Sequence, residues 1–98
     1  MGTDFAWNET KNAANVRKHG VGFEVATRLF SGSVLEETDK RRDYGERRKL
    51  GYGKIDGRLF VCVYTDREIS GRPLRWIISL RKANQRERRK FDAETEID

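Results

Sequence analysis

The pattern of apolar and polar residues has a helical period in the first third of the chain and a period of two further on. Asn8 and Glu9 are typical of a helix start, because the Asn side chain accepts a hydrogen bond from a free amide and the acid suits the helix dipole. We predict a first helix from there to Gly20, which provides a left-handed end. A second, short helix is predicted next, with Phe23, Ala26 and Phe30 on one face and Leu29 beside them.

Short strands are predicted from position 34 onward, because brief apolar or alternating runs are separated there by turn residues. Their predicted ranges are 34–38, 47–55, 59–65 and 74–80. Asp56 and Gly57 indicate a tight hairpin between the second and third strands, since both tolerate a positive φ. The third strand is apolar almost throughout, as in a central strand covered on both faces. The stretch 66–73 is interpreted as a polar turn.

Strict alternation in the last strand predicts which of its side chains face the core. One side carries Leu74, Trp76, Ile78 and Leu80, and the other carries Arg75, Ile77, Ser79 and Arg81. On this interpretation Trp76 is a core residue rather than a platform on which a nucleobase stacks. Asn84 and Glu87 then have the spacing of a capping box, which starts a final helix. That helix has two apolar anchors, Ala83 and Phe91.

These elements predict a single α+β domain over residues 1–98. It has two N-terminal helices, an antiparallel sheet of three or four strands and a C-terminal helix, with a short extended lead-in at Phe5 and Trp7. The one cysteine, Cys62, lies inside an apolar strand, which favours a buried thiol in a reducing compartment. No apolar run approaches the roughly 18 residues that a membrane-spanning helix needs, so we expect a cytoplasmic protein without a membrane partner.

The charge of the chain adds a functional expectation. The formal net charge is +5, the pI is near 9.7, and charged residues make up 38% of the sequence. A basic surface of this kind attracts polyanions, of which nucleic acid is the first candidate, or an acidic partner protein. The ordinary alternative is a well-solvated surface that happens to be basic.

Common enzyme motifs are missing from the sequence. It contains no Gly-rich phosphate loop before a helix, no Cys/His set for zinc and no serine in a nucleophile elbow. Arginines and lysines beside a few carboxylates remain, and these suit the cleavage of RNA, in which the substrate's own 2′-hydroxyl is the nucleophile. Arginine pairs with phosphate through two hydrogen bonds. This chemistry permits a ribonuclease without requiring one.

Several residues are candidates for such a site, and each could instead have a purely structural or solvating role. His19 has the pKa range of a general acid or base, but a cation at a helix end is also mildly stabilising. Arg81 and Lys82 lie where the last strand meets the final helix. The first backbone amides of that helix can donate hydrogen bonds to a phosphate. Arg48 is expected on the same strand side as Leu50 and Tyr52, with Arg47 and Lys49 opposite. In the charged loop before them, Tyr44 is a candidate for base stacking, and Asp43 and Glu46 are candidate proton acceptors.

The sequence resembles the BrnT toxin family over nearly its whole length. The resemblance rests on FAWNETKNAANVRKHGVGFEVA at positions 5–26 and ISLRKA at positions 78–83, with shorter matches at 46–48, 53, 56–58 and 64–65 between them. It implies a RelE-like fold and a ribonuclease toxin that needs no metal or other cofactor. It also implies a BrnA-like antitoxin with a ribbon-helix-helix part, and a toxin–antitoxin complex that binds its own promoter DNA.

The resemblance and the chemistry together give three sets of candidate residues. The catalytic set is Arg81, Arg48, Glu46 and His19. The set expected to bind RNA is Lys82, Arg47, Arg75, Tyr44 and Lys18. The set expected to bind the antitoxin, on the basic final helix, is Arg86, Arg88, Arg89 and Lys90.

One departure from the family pattern affects the functional prediction. The last strand of relatives often carries Arg where this chain has Trp76, and Arg75 stands one position earlier, on the opposite strand face. A local bulge would be needed to bring Arg75 to the same face. Two alternatives to a ribonuclease therefore stay open: a non-catalytic module that binds nucleic acid or an acidic partner, and a degenerate toxin that retains only antitoxin binding.

Overall fold

Five strands form one sheet in the computed structural model, which describes residues 3–41 and 43–95. The strands are β1 (Asp4–Ala6), β2 (Val34–Thr38), β3 (Lys49–Ile55), β4 (Arg58–Ile69) and β5 (Arg72–Lys82). Their order across the sheet is β1-β5-β4-β3-β2, with β1 parallel to β5 and the other neighbours antiparallel. The helices are α1 (Glu9–His19), α2 (Ala26–Leu29), which follows a 3₁₀ turn at Phe23–Val25, and α3 (Gln85–Thr95).

The helix ends predicted from the sequence are confirmed. The Asn8 side chain accepts a hydrogen bond from the Lys11 amide at 3.0 Å, and Gly20 ends α1 with a φ of 74°. At the start of α3, the Glu87 amide donates to the Asn84 side chain and the Asn84 amide donates to the Glu87 carboxylate, at 2.8 and 2.9 Å. Hydrogen bonds of this kind join residues that are two or three positions apart, so a short sequence pattern is enough to predict them.

A buried asparagine joins α1 to the sheet. The Asn15 side-chain amide donates to the backbone carbonyls of Leu80 and Val21, at 2.8 and 2.9 Å, and its oxygen accepts from the Leu80 amide at 3.3 Å. β1 pairs with β5 only at residues 74–76, so this side chain takes the place of a neighbouring strand further along β5. Asn15 therefore fixes α1 beside the end of β5.

The two faces of the sheet have separate hydrophobic clusters. On the helix-covered face, Phe60, Cys62 and Tyr64 of β4 pack with Phe23 and Leu29. On the opposite face, which we call the α3 face, the cluster contains Leu50, Tyr52, Leu59, Val61, Val63 and Ala83, with Phe91 of α3 packed against it. Burial raises the pKa of the Cys62 thiol to about 12, as expected for a thiol that serves only in packing.

Two glycines in β3 let the short helix lie close to the sheet. A Cβ atom on Gly53 would come within 3.2 Å of the Leu29 side chain, and one on Gly51 within 3.1 Å of the Tyr64 ring and 3.3 Å of Phe30. On the other side of the strand, Leu50 and Tyr52 face the second cluster, as predicted. β3 therefore presents glycines on the side of α2 and large side chains on the side of α3.

The predicted number of strands and the predicted turn at 66–73 were wrong. The lead-in at Phe5 is a fifth strand, β1, and the sheet is mixed rather than antiparallel. β4 continues to Ile69, and the chain turns at Ser70 and Gly71, with φ values of 54° and 77°. Residues 66–69 of β4 extend beyond the end of β3 and are exposed on both sides. They therefore lack the alternation of apolar and polar residues by which a strand is recognised in a sequence.

The predicted alternation of the last strand was also wrong, because β5 contains a bulge. Val63 pairs with Ser79 and Tyr64 pairs with Ile77, which leaves Ile78 as an extra residue. Ile77 and Leu80, three positions apart, therefore both lie in the cluster on the helix-covered face. Trp76 lies on the α3 face opposite Thr65, is half-buried and belongs to neither cluster.

Candidate nucleic-acid interface

The charged loop between β2 and β3 is anchored by a buried carboxylate. Asp39, whose side chain is fully buried, accepts hydrogen bonds from the Arg41 guanidinium at 2.7 and 2.8 Å and from the Arg41 amide at 3.2 Å. The far end of the loop is held by Thr65, whose hydroxyl donates to the Arg47 carbonyl at 2.7 Å. Hydrogen bonds therefore hold the two ends of the loop together and tie one of them to β4.

The ion pair of Asp39 with Arg41 should make the stability of the fold depend on pH. Hydrogen bonds from Arg41 hold the pKa of Asp39 below its usual value. A depressed pKa means that the carboxylate stabilises the fold above about pH 4, and that this contribution is lost as the pH falls through the folded-state pKa. We expect Asp39→Asn to lower the free energy of unfolding by about 1–3 kcal/mol at pH 7.

Denaturant unfolding at pH 7 and at pH 3 measures this difference. The gap between the two proteins should shrink at low pH, because protonation removes the advantage of the native carboxyl. The depressed pKa values of Asp66 and Glu87 affect both proteins alike and cancel in the comparison. A gap that stays constant with pH would contradict an ionic anchor at this position.

Two arginines, two aromatic rings and one carboxylate form a connected group at the open end of the α3 face. The Arg48 guanidinium lies over the Tyr44 ring at 4.1 Å, and the Arg67 guanidinium lies over the Trp76 ring at 4.7 Å. Glu46 joins the two arginines, at 3.3 Å from Arg48 and 3.4 Å from Arg67. We call these residues the arginine–aromatic cluster.

The contacts that hold the cluster together are weak. Exposed ion pairs are worth about 0.2–1 kcal/mol, and a cation over an exposed ring about 0.5–1 kcal/mol. Glu46 and Arg67 are exposed, and both Glu46 distances are long for charge-assisted hydrogen bonds. A phosphodiester of RNA carries the same single negative charge and fits the guanidinium fork, so it can replace the carboxylate as the partner of either arginine.

A second group of candidate residues lies further along β5, where the strand ends and α3 begins. Arg81 makes a bidentate ion pair with Glu87, at 2.7 and 2.8 Å, and this pair raises the pKa of Arg81. The positive charge of Arg41 partly opposes this shift. Lys82 is exposed beside Arg81, and the structure records no ion pair for Lys82 with any other described residue.

His19 and Lys18 lie near this second group, at the end of α1. Partial burial, followed by the charges of Lys18 and Arg81, lowers the pKa of His19. The imidazole is therefore neutral at pH 7 and able to accept a proton. Lys18 is exposed on the last turn of the helix.

Arg75 lies on the helix-covered face, away from both groups. Its guanidinium is 4.5 Å from the Phe30 and Tyr64 rings and forms two hydrogen bonds with Asp66, at 2.7 and 3.1 Å. The bulge at Ile78 comes after Arg75 along the strand, so Arg75 and Trp76 still point to opposite faces. Arg75 therefore does not occupy the place of Trp76.

The basic side chains of α3 form a separate exposed surface. Lys90 bonds Glu37 at 2.8 Å and Arg88 donates to the Ala83 carbonyl at 3.2 Å, while Arg86 and Arg89 are exposed. The described part of the chain contains no group of three or more His, Cys, Asp or Glu side chains that could hold a metal ion. None of the helices described is long and apolar enough to cross a membrane.

The sequence reasoning missed Arg67 as part of the candidate interface. The signal was present, because Val61, Val63 and Thr65 alternate on one face and the next position of that series is Arg67. It was overlooked because 66–73 was taken for a turn. Arg47 was predicted to point away from Arg48, and it is exposed in the loop just before β3 begins at Lys49.

The fold and this surface define a small, basic α+β protein with arginines and aromatic rings on the exposed part of its sheet. A family model described as ribonuclease toxin, BrnT, of type II toxin–antitoxin systems matches residues 7–87. The chain belongs to this family, as the resemblance of its sequence implied. A comparison with curated protein sequences found no match.

Proposed function

We propose that this protein cleaves RNA as the toxin of a type II toxin–antitoxin pair, and that the arginine–aromatic cluster binds the scissile region. The observation that carries the proposal is the position of Glu46 between Arg48 and Arg67, next to the half-buried rings of Tyr44 and Trp76. The family match supports the ribonuclease activity. The fold that we propose for it is RelE-like, with the α3 face as the RNA-binding side.

The reaction that these residues suit is transesterification within RNA. The 2′-hydroxyl attacks the neighbouring phosphorus, the bond from phosphorus to the 5′-oxygen breaks, and a 2′,3′-cyclic phosphate and a 5′-hydroxyl result. Glu46 takes the proton of the 2′-hydroxyl, a water molecule protonates the 5′-oxygen as it leaves, and Arg48 neutralises the phosphate as charge builds on it. No metal or other cofactor is needed, because the guanidinium supplies the positive charge.

The second group has a supporting role in this proposal. Arg81 and Lys82, with the first amides of α3, bind a phosphate further along the RNA, and neutral His19 donates a hydrogen bond to the same phosphate. Lys18, Arg47 and Tyr44 extend the RNA-binding surface. Arg75, which faces the helices, contributes to packing and to the local charge rather than to catalysis.

The antitoxin is the second partner that we propose. A BrnA-like ribbon-helix-helix protein would bind the basic residues of α3, which are Arg86, Arg88, Arg89 and Lys90, through acidic side chains. The complex, rather than the toxin alone, would bind promoter DNA and repress it. The place of action is the cytoplasm, where mRNA and this operator are found.

Purified protein incubated with single-stranded RNA in the presence of a chelator tests the activity directly. We expect cleavage products that carry 2′,3′-cyclic phosphate ends, and growth arrest when the protein is expressed without an antitoxin. Intact RNA and normal growth, with folded protein confirmed by circular dichroism, would rule out a ribonuclease toxin.

A degenerate toxin is the second candidate function, and Trp76 is the observation that favours it. This residue occupies the position where relatives often carry an arginine, and Arg75 does not replace it on that face. A degenerate toxin would bind RNA or antitoxin with a steep salt dependence and give no cleavage products. Restoring the arginine by Trp76→Arg would then produce activity that the native protein lacks.

A further inference from the structure

Trp76 has no role in the packing of the core. It is half-buried, lies on the α3 face and belongs to neither hydrophobic cluster. α3 packs through Phe91 against the cluster at the other end of this face, so it leaves the Trp76 end uncovered. A large ring in such a place needs an explanation other than burial.

The ring is covered by a side chain that is easily displaced. The Arg67 guanidinium lies 4.7 Å from the ring centre, its side chain is 42% exposed, and its recorded ion pair is the 3.4 Å contact with Glu46. Each of these contacts is worth at most about 1 kcal/mol. A nucleobase stacked on an aromatic side chain is worth about 1–3 kcal/mol. A base therefore competes well for this ring.

We propose that Trp76 is a stacking platform for an unpaired base of the RNA, and that Arg67 leaves the ring to bind the phosphate of the same nucleotide. This rests on the proposed function, and it adds the substrate class: single-stranded RNA, because the bases of a duplex are already stacked on both faces. Arg67 keeps a favourable partner throughout, since it exchanges the ring and Glu46 for a phosphate. Tyr44 under Arg48 repeats the arrangement on the other side of Glu46.

Fluorescence can report on this ring alone. The chain has two tryptophans, and Trp7 packs edge-on against Phe23 on the helix-covered face, so Trp7→Phe leaves Trp76 as the single reporter. The ligand is a single-stranded oligonucleotide with 2′-O-methyl riboses, which cannot be cleaved. We expect quenching with this ligand, and none with an abasic oligonucleotide of equal length and charge. In Trp76→Phe, the remaining Trp7 should give no change.

Affinity measurements give an independent test of the stacking. Trp76→Leu should weaken binding of the oligonucleotide about tenfold, which is the fold-change that 1.4 kcal/mol of lost stacking produces. Trp76→Phe should retain most of the affinity, because the ring remains. Ile69→Ala is the matched control, since Ile69 is an apolar residue of the same hairpin that is 57% exposed, and it should bind as the native protein does.

The outcomes separate this inference from the proposed function. RNA cleavage together with unchanged Trp76 fluorescence, and equal affinity for the abasic ligand, would overturn the stacking platform and leave the ribonuclease intact. Quenching and base-dependent affinity without cleavage would support the platform and contradict the enzyme. A protein that neither binds nor cleaves any RNA would overturn both.

Discussion

Replacing Asn15 with leucine is expected to lower the free energy of unfolding by about 3 kcal/mol, a large part of the stability of a domain this size. The substitution leaves the carbonyls of Leu80 and Val21 and the amide of Leu80 without the partner that they have in the native fold. Each buried backbone group without a partner costs about 1–3 kcal/mol. Leucine has the same number and branching of heavy atoms and leaves no cavity, so the loss does not come from an empty space.

Two further variants identify the cause of that loss. Asn12→Leu removes the acceptor for the Phe23 amide, at a half-buried position on the same helix, and should cost less because fewer backbone groups are affected. Asn15→Asp keeps an acceptor for Leu80 but places a negative charge against two carbonyls. Its stability should improve relative to the native protein as the pH falls and the introduced carboxyl becomes protonated. Equal denaturation midpoints for Asn15→Leu and the native protein would show that α1 is held by other contacts.

The sequence predicted those parts of the fold that depend on neighbouring residues. The caps at Asn8 and Asn84 and the turn at Asp56 were correct because each is formed by hydrogen bonds or backbone preferences within a few positions. The bulge at Ile78 has no local pattern, since it shows only in the register against β4. One extra residue moved Trp76 away from the predicted core and brought Ile77 into it.

The candidate site could be predicted only in part, for the same reason. Arg48, Glu46 and Tyr44 are close in sequence and were identified together, and the structure brings them into contact. Arg67 and Trp76 reach them through the pairing of β4 with β5 and of β4 with β3, which no single segment encodes. Arg81 and His19 were placed with Arg48 in one catalytic set, but Arg81 lies five positions beyond Trp76 along β5 and His19 lies at the end of α1.

Arg48→Ala is expected to reduce the rate of RNA cleavage by about 10²–10³, the usual effect of removing one group that stabilises charge in a transition state. The fold should be retained, because Arg48 makes surface contacts with Glu46 and Tyr44 that are worth little to stability. Arg48→Lys should recover only part of the activity, since lysine keeps the charge without the two-donor fork. Initial rates on single-stranded RNA, together with circular dichroism, measure both effects.

Arg58→Ala provides the matched control for the loss of a positive charge. Arg58 is exposed at the start of β4, nine positions from Arg67, which is roughly 30 Å along an extended strand. Its removal should change the rate less than twofold. Such a result would separate a specific role of Arg48 from the general attraction of a basic protein for RNA.

A double variant distinguishes a catalytic role of Arg48 from a role in which Arg48 only neutralises the charge of Glu46. Removal of Arg48 leaves Glu46 less neutralised, and the exposed carboxylate would itself repel a phosphate. If this repulsion were the whole effect, Glu46→Gln added to Arg48→Ala would restore the native rate. In the proposed mechanism Glu46 accepts the proton of the 2′-hydroxyl, so the double variant should be at least as slow as Arg48→Ala, and Glu46→Gln alone should also be slow. Recovery of the native rate in the double variant would remove both residues from the chemistry and would make Arg81 and His19 the next residues to test.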